Sequence, residues 1–243
     1  MKLFTFIDQE TGKYNIEEVN RAYSVLKSGG LVISPTKVGY IMVGCTFESI
    51  KRKFDLKQRK KSKSAVILTR YENLEVVSLV PSIHQKFISL LNQSNLLCGF
   101  ILKRNKDAFV TLNKDLVDYT KQPNETSCFV INHGLYSEQL EKFATLDNIL
   151  LFASSANKSG TGNKGKFKNI GDSIIKNVNY SIIDDEYVAQ RYQDKEAEQG
   201  VMIDLTSDVP SLIRLGLFSD KIVQLLSLIY GEKGFTINHG AYP

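Results

Sequence analysis

Residues 29–42, Gly29-Gly30-Leu31-Val32-Ile33-Ser34-Pro35-Thr36-Lys37-Val38-Gly39-Tyr40-Ile41-Met42, decide how the rest of the chain is read. Upstream, Ile16, Val19, Tyr23 and Leu26 recur at helical spacing and stop at the glycine pair, which is suited to a helix C-terminus. Leu31 to Ser34 then reads as a buried strand that ends at Pro35-Thr36, and a second apolar stretch surrounds Tyr40 to Val43. A helix feeding a buried strand, followed at once by another, is the start of a mixed α/β chain.

The same alternation continues outward. Phe47, Ile50 and Phe54 mark a short helix, 65–69 a strand, Ile83, Phe87, Leu90 and Leu91 a helix, and 96–103 a strand. Strands at 128–131 and 148–154 bracket a helix from Leu135 to Phe143. The chain closes with strands at 180–183, 201–205 and 211–215 and a helix over about 219–230. The simplest organisation is one domain, without internal repeats. The polar stretches 157–168 and 184–199 read as lids or excursions.

Of the 243 residues, 42% are hydrophobic and 23% charged, with a net charge of +5. Lys51 to Lys63 alone carries +7, so the remainder sums to −2. That distribution argues against coating nucleic acid over the whole surface and for a local anion site. Cys45, Cys98 and Cys128 form no C-x-x-C pair, and His84, His133 and His239 form no metal-spaced cluster. No apolar run reaches the roughly 18 residues of a membrane helix, and no secretory leader is recognisable, so the expectation is a cytoplasmic protein that does not enter a membrane.

Two glycine motifs fail on chemistry. Residues 160–165, GTGNKG, match G-x-G-x-x-G, but five residues separate them from the preceding strand and the next helical apolar residues begin well beyond them. Read as a P-loop, the stretch has Phe167 where a magnesium-binding hydroxyl belongs. The basic segment is the third phosphate candidate, with Lys57, Arg59, Lys60, Lys61 and Lys63 crowding a helix end and the loop after it.

The order of these pieces resembles the YrdC-like family, which includes threonylcarbamoyl-AMP synthases. Its P-T-D-T-V-Y-G-L motif after a glycine-led strand is matched by Pro35 to Met42, its K-x-R by Lys57-Gln58-Arg59, its S-A-N-x-S-G by Ser155 to Gly160, and its R-x-G by Arg214-Leu215-Gly216. The resemblance implies a single domain over 1–243, with a core of about 16–230 and a tail from 231 to 243. It also implies an α/β fold in which a twisted mixed or parallel sheet with flanking helices encloses a basic cavity.

As activity, the resemblance implies formation of threonylcarbamoyl-AMP and pyrophosphate from ATP, bicarbonate and threonine, with Mg2+, for the modification of an adenosine in tRNA. Tyr40 would wall the amino-acid pocket beside a donor from Thr36, Lys57, Arg59 and Arg214 would bind phosphates, and Ser155 and Asn157 would orient nucleotide or carboxylate. Each has a plainer reading too: Thr36 shaping a turn, Tyr40 as a core ring, Asn157 supplying a left-handed turn.

The motifs also depart from the family. Lys37 and Val38 replace an acid and a threonine, Val130 stands where V-R-x-P has its arginine, and Gly200 and Val201 replace the hydroxyls of S-T-V-V-D. Each hydrogen bond lost to a charged ligand costs about 1.5–3 kcal/mol. The chain is therefore expected either to be a divergent nucleotidyltransferase, with tRNA-modification partners, or to be a non-catalytic member that binds nucleotide or double-stranded RNA.

Overall fold

The structure is a computed structural model, and the residues it describes are 14–58, 65–158, 165–189 and 199–238. Arg59, the lysines that follow it and the 160–164 part of the glycine loop lie outside the described residues.

The strands in chain order are β1 (Val32–Thr36), β2 (Gly39–Gly44), β3 (Val66–Leu68), β4 (Ser78–Leu79), β5 (Cys98–Arg104), β6 (Thr126–Ile131), β7 (Leu151–Ser155), β8 (Tyr180–Ser181), β9 (Val201–Asp204), β10 (Ser211–Arg214) and β11 (Thr236–Ile237). The helices are α1 (Ile16–Lys27), α2 (Phe47–Leu56), α3 (Tyr71–Val77), α4 (Ser82–Gln93), α5 (Lys114–Thr120), α6 (Leu135–Leu146), α7 (Asp172–Ile175), α8 (Asp185–Ala189) and α9 (Ser219–Tyr230). The strands form one mixed sheet in the order β11-β10-β9-β5-β6-β3-β7-β2-β1-β8, with β4 paired to β5 at its side. The β3–β6, β5–β9, β1–β8 and β10–β11 pairs are parallel, and the others are antiparallel. This is the α/β architecture expected from the alternation of elements.

Local chemistry sets the boundaries near the site. Asn15 caps α1 by accepting from the backbone N–H of Glu17 and Glu18, and Gly29 ends it at a φ of +83° that L side chains rarely adopt. Thr46 and Ser49 form a reciprocal capping box at the start of α2. The strand expected from Asn148 begins only at Leu151, because Asn148 takes a positive φ and the Ile149 N–H folds back onto the Ala144 carbonyl at 2.8 Å. The short elements α3, α5, α7 and α8 carry too few turns to announce themselves by period. Of residues 231–243, expected to form a tail, 239–243 lie outside the described residues, and Thr236–Ile237 pairs with β10.

Three apolar clusters result. Ile67, Phe100, Phe129, Phe152 and Ile203 pack beneath α2, α3, α4, α5 and α9. Around β1, β2 and β7, residues of α1, α6, α7 and α8 build the second. The third contains strand residues only: Ile101, Cys128, Met202 and Ile213, with half-buried Val66 and Val130 against them. Cross-strand partners Val66 and Cys128, Cys128 and Ile101, and Gly99 with both Val130 and Met202 put this strip on one sheet face. Successive side chains point to opposite faces, so Val201 belongs to the first cluster instead.

Candidate functional site

The basic segment meets the S-A-N motif through Lys57. This residue caps the C-terminus of α2, is only 1% exposed, and donates from Nζ to the Ser155 carbonyl and, at 3.2 Å, to Ser155 Oγ. One turn earlier Lys53 is 0% exposed and donates to the Phe152 carbonyl at 2.8 Å. Lys53 thus turns inward, whereas its neighbours Lys51 and Arg52 are exposed. The sequence carries a signal for this inward turn: Ile50, Phe54 and Lys57 follow one another at four and three residues, which places them on one helix face, and Lys53 lies beside them. Two buried ammonium groups on the carbonyls of β7 stitch the helix to the strand that delivers Asn157.

Asn157 follows directly, 6% exposed, with its Nδ2 donating to the Lys158 carbonyl at 2.7 Å. Between them, Ala156 donates its N–H to the Tyr40 carbonyl at 2.8 Å, which extends the β2–β7 ladder past its end. Lys57, Ser155, Asn157 and Tyr40 thus come together. Thr36 stands at the turn between β1 and β2, where its hydroxyl donates to the Gly39 carbonyl at 2.7 Å and accepts from the Val38 N–H at 3.2 Å. In this geometry Thr36 closes the turn.

Tyr40 is fully buried. Its hydroxyl donates to Asp185 Oδ1 at 2.8 Å and accepts from the Asp184 N–H at 3.0 Å, while its ring meets Phe167 edge-on at 5.5 Å. Burial and the neighbouring carboxylate both push its pKa well above the ordinary phenol value. Phe167 and Asp185 therefore meet at the same tyrosine, a connection that spacing along the chain does not reveal; residues 159–164 and 190–198 of the polar stretches 157–168 and 184–199 lie outside the described residues.

Arg214 stands on β10. From β7 to β10 the sheet takes five strand steps, about 24 Å along its surface at about 4.8 Å per step. Half-buried Arg214 donates from Nε to the Gly200 carbonyl at 2.9 Å and pairs with Met202 across the ladder. Burial pushes the nearby Cys128 thiol up to about 12, with the Arg214 charge pulling the other way. Gly216 completes R-x-G for a steric reason, since a Cβ there would lie 1.9 Å from the Gln199 carbonyl oxygen.

The altered positions have definite places. Lys37 is 0% exposed, and its Nζ donates to both the backbone and side-chain oxygens of Asn95, each at 2.8 Å. Asn132 adopts a left-handed φ and donates to the Leu91 and Leu96 carbonyls. Val130 belongs to the apolar strip, and its companion there from β9 is Met202, because Val201 faces the helices. Among the described residues no group of three or more His, Cys, Asp or Glu side chains could hold a metal ion, and no helix is long and apolar enough to cross a membrane.

A family model described as telomere recombination, Sua5/YciO/YrdC, matches residues 24–216. The hypothetical protein smu.1377c from Streptococcus mutans UA159 has a similar structure, with TM-score 0.79 and 28% identity, over 91% of this chain and 94% of that one. E. coli YciO gives 0.65 and 17%, over 84% and 92%. P. abyssi Sua5 complexed with L-threonine gives 0.67 and 18%, over 93% of this chain but 61% of that one. No curated protein sequence matches the chain.

Proposed function

Because the chain belongs to the Sua5/YciO/YrdC family, we propose that it is a divergent threonylcarbamoyl-AMP synthase. In this reading the threonine nitrogen and bicarbonate form a carbamate with loss of water, a carbamate oxygen attacks the α-phosphorus of ATP, and pyrophosphate leaves. The product is the activated group for modifying an adenosine in tRNA.

The observation that carries this reading is the contact of Lys57 with Ser155, which joins the K-x-R and S-A-N-x-S-G motifs in one place. A leaving pyrophosphate needs its growing charge offset, and a lysine held in position at a strand end supplies a preorganised cation without reorganisation. Arg59 is proposed to assist it, and Arg214 to take a phosphate or the nucleotide from the far side of the strip. Magnesium in this reading arrives on the phosphates of ATP, as is usual for an ion that keeps several waters and takes few protein ligands. That P. abyssi Sua5 was crystallised with L-threonine supports threonine as the first amine to try.

The test is pyrophosphate release by the full chain with ATP, magnesium, bicarbonate and threonine. Release that depends on threonine and bicarbonate, and that falls at least tenfold in a Lys57→Ala, Arg59→Ala protein, is the expected result. Release no greater than that of the double variant overturns the proposal.

A second reading is favoured by the apolar strip of Ile101, Cys128, Met202 and Ile213. These side chains offer no hydroxyl to a ribose or a phosphate, which suits a protein that binds nucleotide or double-stranded RNA without completing synthesis. Filter binding at two salt concentrations separates the possibilities, since RNA held through several phosphates weakens steeply with salt.

A further inference from the structure

Asp184 and Asp185 sit side by side at the start of α8, and each carboxylate gathers groups from distant parts of the chain. Asp185 Oδ1 accepts from the Tyr40 hydroxyl at 2.8 Å and from the Phe167 backbone N–H at 2.7 Å. Asp184 accepts from the Tyr136 hydroxyl at 2.6 Å through Oδ2 and from the Tyr187 N–H at 2.8 Å through Oδ1. Tyr187 in turn accepts the Leu135 N–H at the start of α6 at 3.0 Å, and its ring meets Tyr136 edge-on at 5.5 Å.

The two carboxylates differ in what they control. Asp184 ties α8 to α6, which is scaffold. Asp185 joins β2 to the chain where it returns at Phe167, and does so through a single oxygen. Its partner Tyr40 holds the Ala156 N–H by its own carbonyl, one residue from both Ser155 and Asn157. Tyr40 thus meets Asp185 through its side chain and, through its main chain, the strand end on which Lys57 rests. Asp185 itself is exposed, but hydrogen bonds to an ionised acceptor are about twice as strong as neutral ones, so this oxygen holds both the buried Tyr40 ring and half-buried Phe167.

We propose that Asp185 is a positioning residue: by holding the Tyr40 hydroxyl and the Phe167 N–H on one carboxylate oxygen, it sets the placement of Ser155-Ala156-Asn157 beside Lys57. Its effect on ligand binding rests on the synthase reading above, whereas its effect on local order does not.

Asp185→Ala, Asp185→Asn and Tyr40→Phe are made in the full chain and compared by amide hydrogen exchange and by steady-state pyrophosphate release. In Asp185→Ala, exchange rises about tenfold or more in peptides covering 154–158 and 165–170, while β5 and β6 stay protected. The KM for ATP rises about tenfold, with a smaller change in kcat. Asp185→Asn keeps an acceptor oxygen and recovers both readouts to within about threefold. Tyr40→Phe, which loses only the hydroxyl, raises exchange at 154–158. Unchanged exchange in these two segments, or a rise spread evenly over the chain in all three variants, overturns the assignment. A wild-type protein that releases no pyrophosphate sinks the synthase reading alone, and the exchange measurements still decide the role of Asp185.

Discussion

Lys57 and Ser155 are 98 residues apart in sequence, yet one ammonium group donates to both the carbonyl and the hydroxyl of that serine. The contact is structural and electrostatic at once, because it pins α2 to β7 while placing a positive charge at a strand end. Lys57→Gln is expected to lower unfolding free energy by about 1.5–3 kcal/mol, the range for a hydrogen bond to a charged group. It should also weaken ATP binding at least tenfold. Lys57→Arg should not restore either property, since a site 1% exposed has little room for a broader planar head. Urea denaturation and calorimetric titration with ATP check the three claims, and full rescue by arginine would refute the positional argument.

Much of the fold is legible from residues 29–42 outward, because strand and helix periods differ and buried strands read as apolar runs. The short helices are not, since α3, α5, α7 and α8 carry too few turns to show a period, whereas β8 falls within the strand read at 180–183 and is held by the Leu31 carbonyl, which accepts from the Asn179 and Tyr180 N–H groups. At the site, sequence finds Lys57, Ser155 and Asn157 through motif order. It does not tell that the Thr36 hydroxyl is taken up by its own turn, nor that Tyr40 is bound to Asp185, 145 residues away. Motifs record which residues occur in order, whereas hydrogen-bond partners are chosen by packing.

The thiols carry a pH prediction. Burial pushes Cys45 up to about 11 and Cys128 up to about 12. The raised folded-state values mean that the folded form holds these protons more tightly, so their stabilising contribution is full below the unfolded pKa of about 8.5 and is lost as pH rises through 11 to 12. Native alkylation should therefore be slow at pH 8, with thiolate roughly two-hundredfold scarcer for Cys45 than for a free thiol. Cys45, the half-buried one, should react first, and its rate should still climb about tenfold per pH unit between 8 and 10. Mass-spectrometric rates that level off near pH 9 would contradict this.

The apolar strip depends on an absent side chain. A Cβ at Gly99 would stand 2.9 Å from Met202 Sδ and 3.4 Å from Cys128 Sγ, so Gly99→Ala should cost about 1–3 kcal/mol by overpacking. Met202→Ala alone should cost about 2–5 kcal/mol through the cavity it leaves. Together they should cost clearly less than their sum, because each relieves the other, with a coupling of about 0.5–3 kcal/mol measured by denaturation of all four proteins. Strict additivity would show that the two positions do not meet.

Lys37 tests whether the altered first motif is decay or replacement. The family has an acid here, so a degraded site would be repaired by Lys37→Asp. The geometry argues the reverse: the ammonium is wholly buried and donates to two oxygens of Asn95, at the left-handed turn that ends α4. Aspartate would place an uncompensated carboxylate in a buried site beside carbonyl oxygens, and leaving a buried charge unpaired costs about 3–5 kcal/mol. Lys37→Met, which keeps most of the volume and loses only the hydrogen bonds, should cost about 1.5–3 kcal/mol. The order of stability is therefore expected to be wild type, then Lys37→Met, then Lys37→Asp, read from thermal melting. An aspartate variant as stable as wild type, or one with improved threonine-dependent pyrophosphate release, would mean that this position still belongs to the amino-acid pocket and not to the scaffold that now holds the β1–β2 turn against α4.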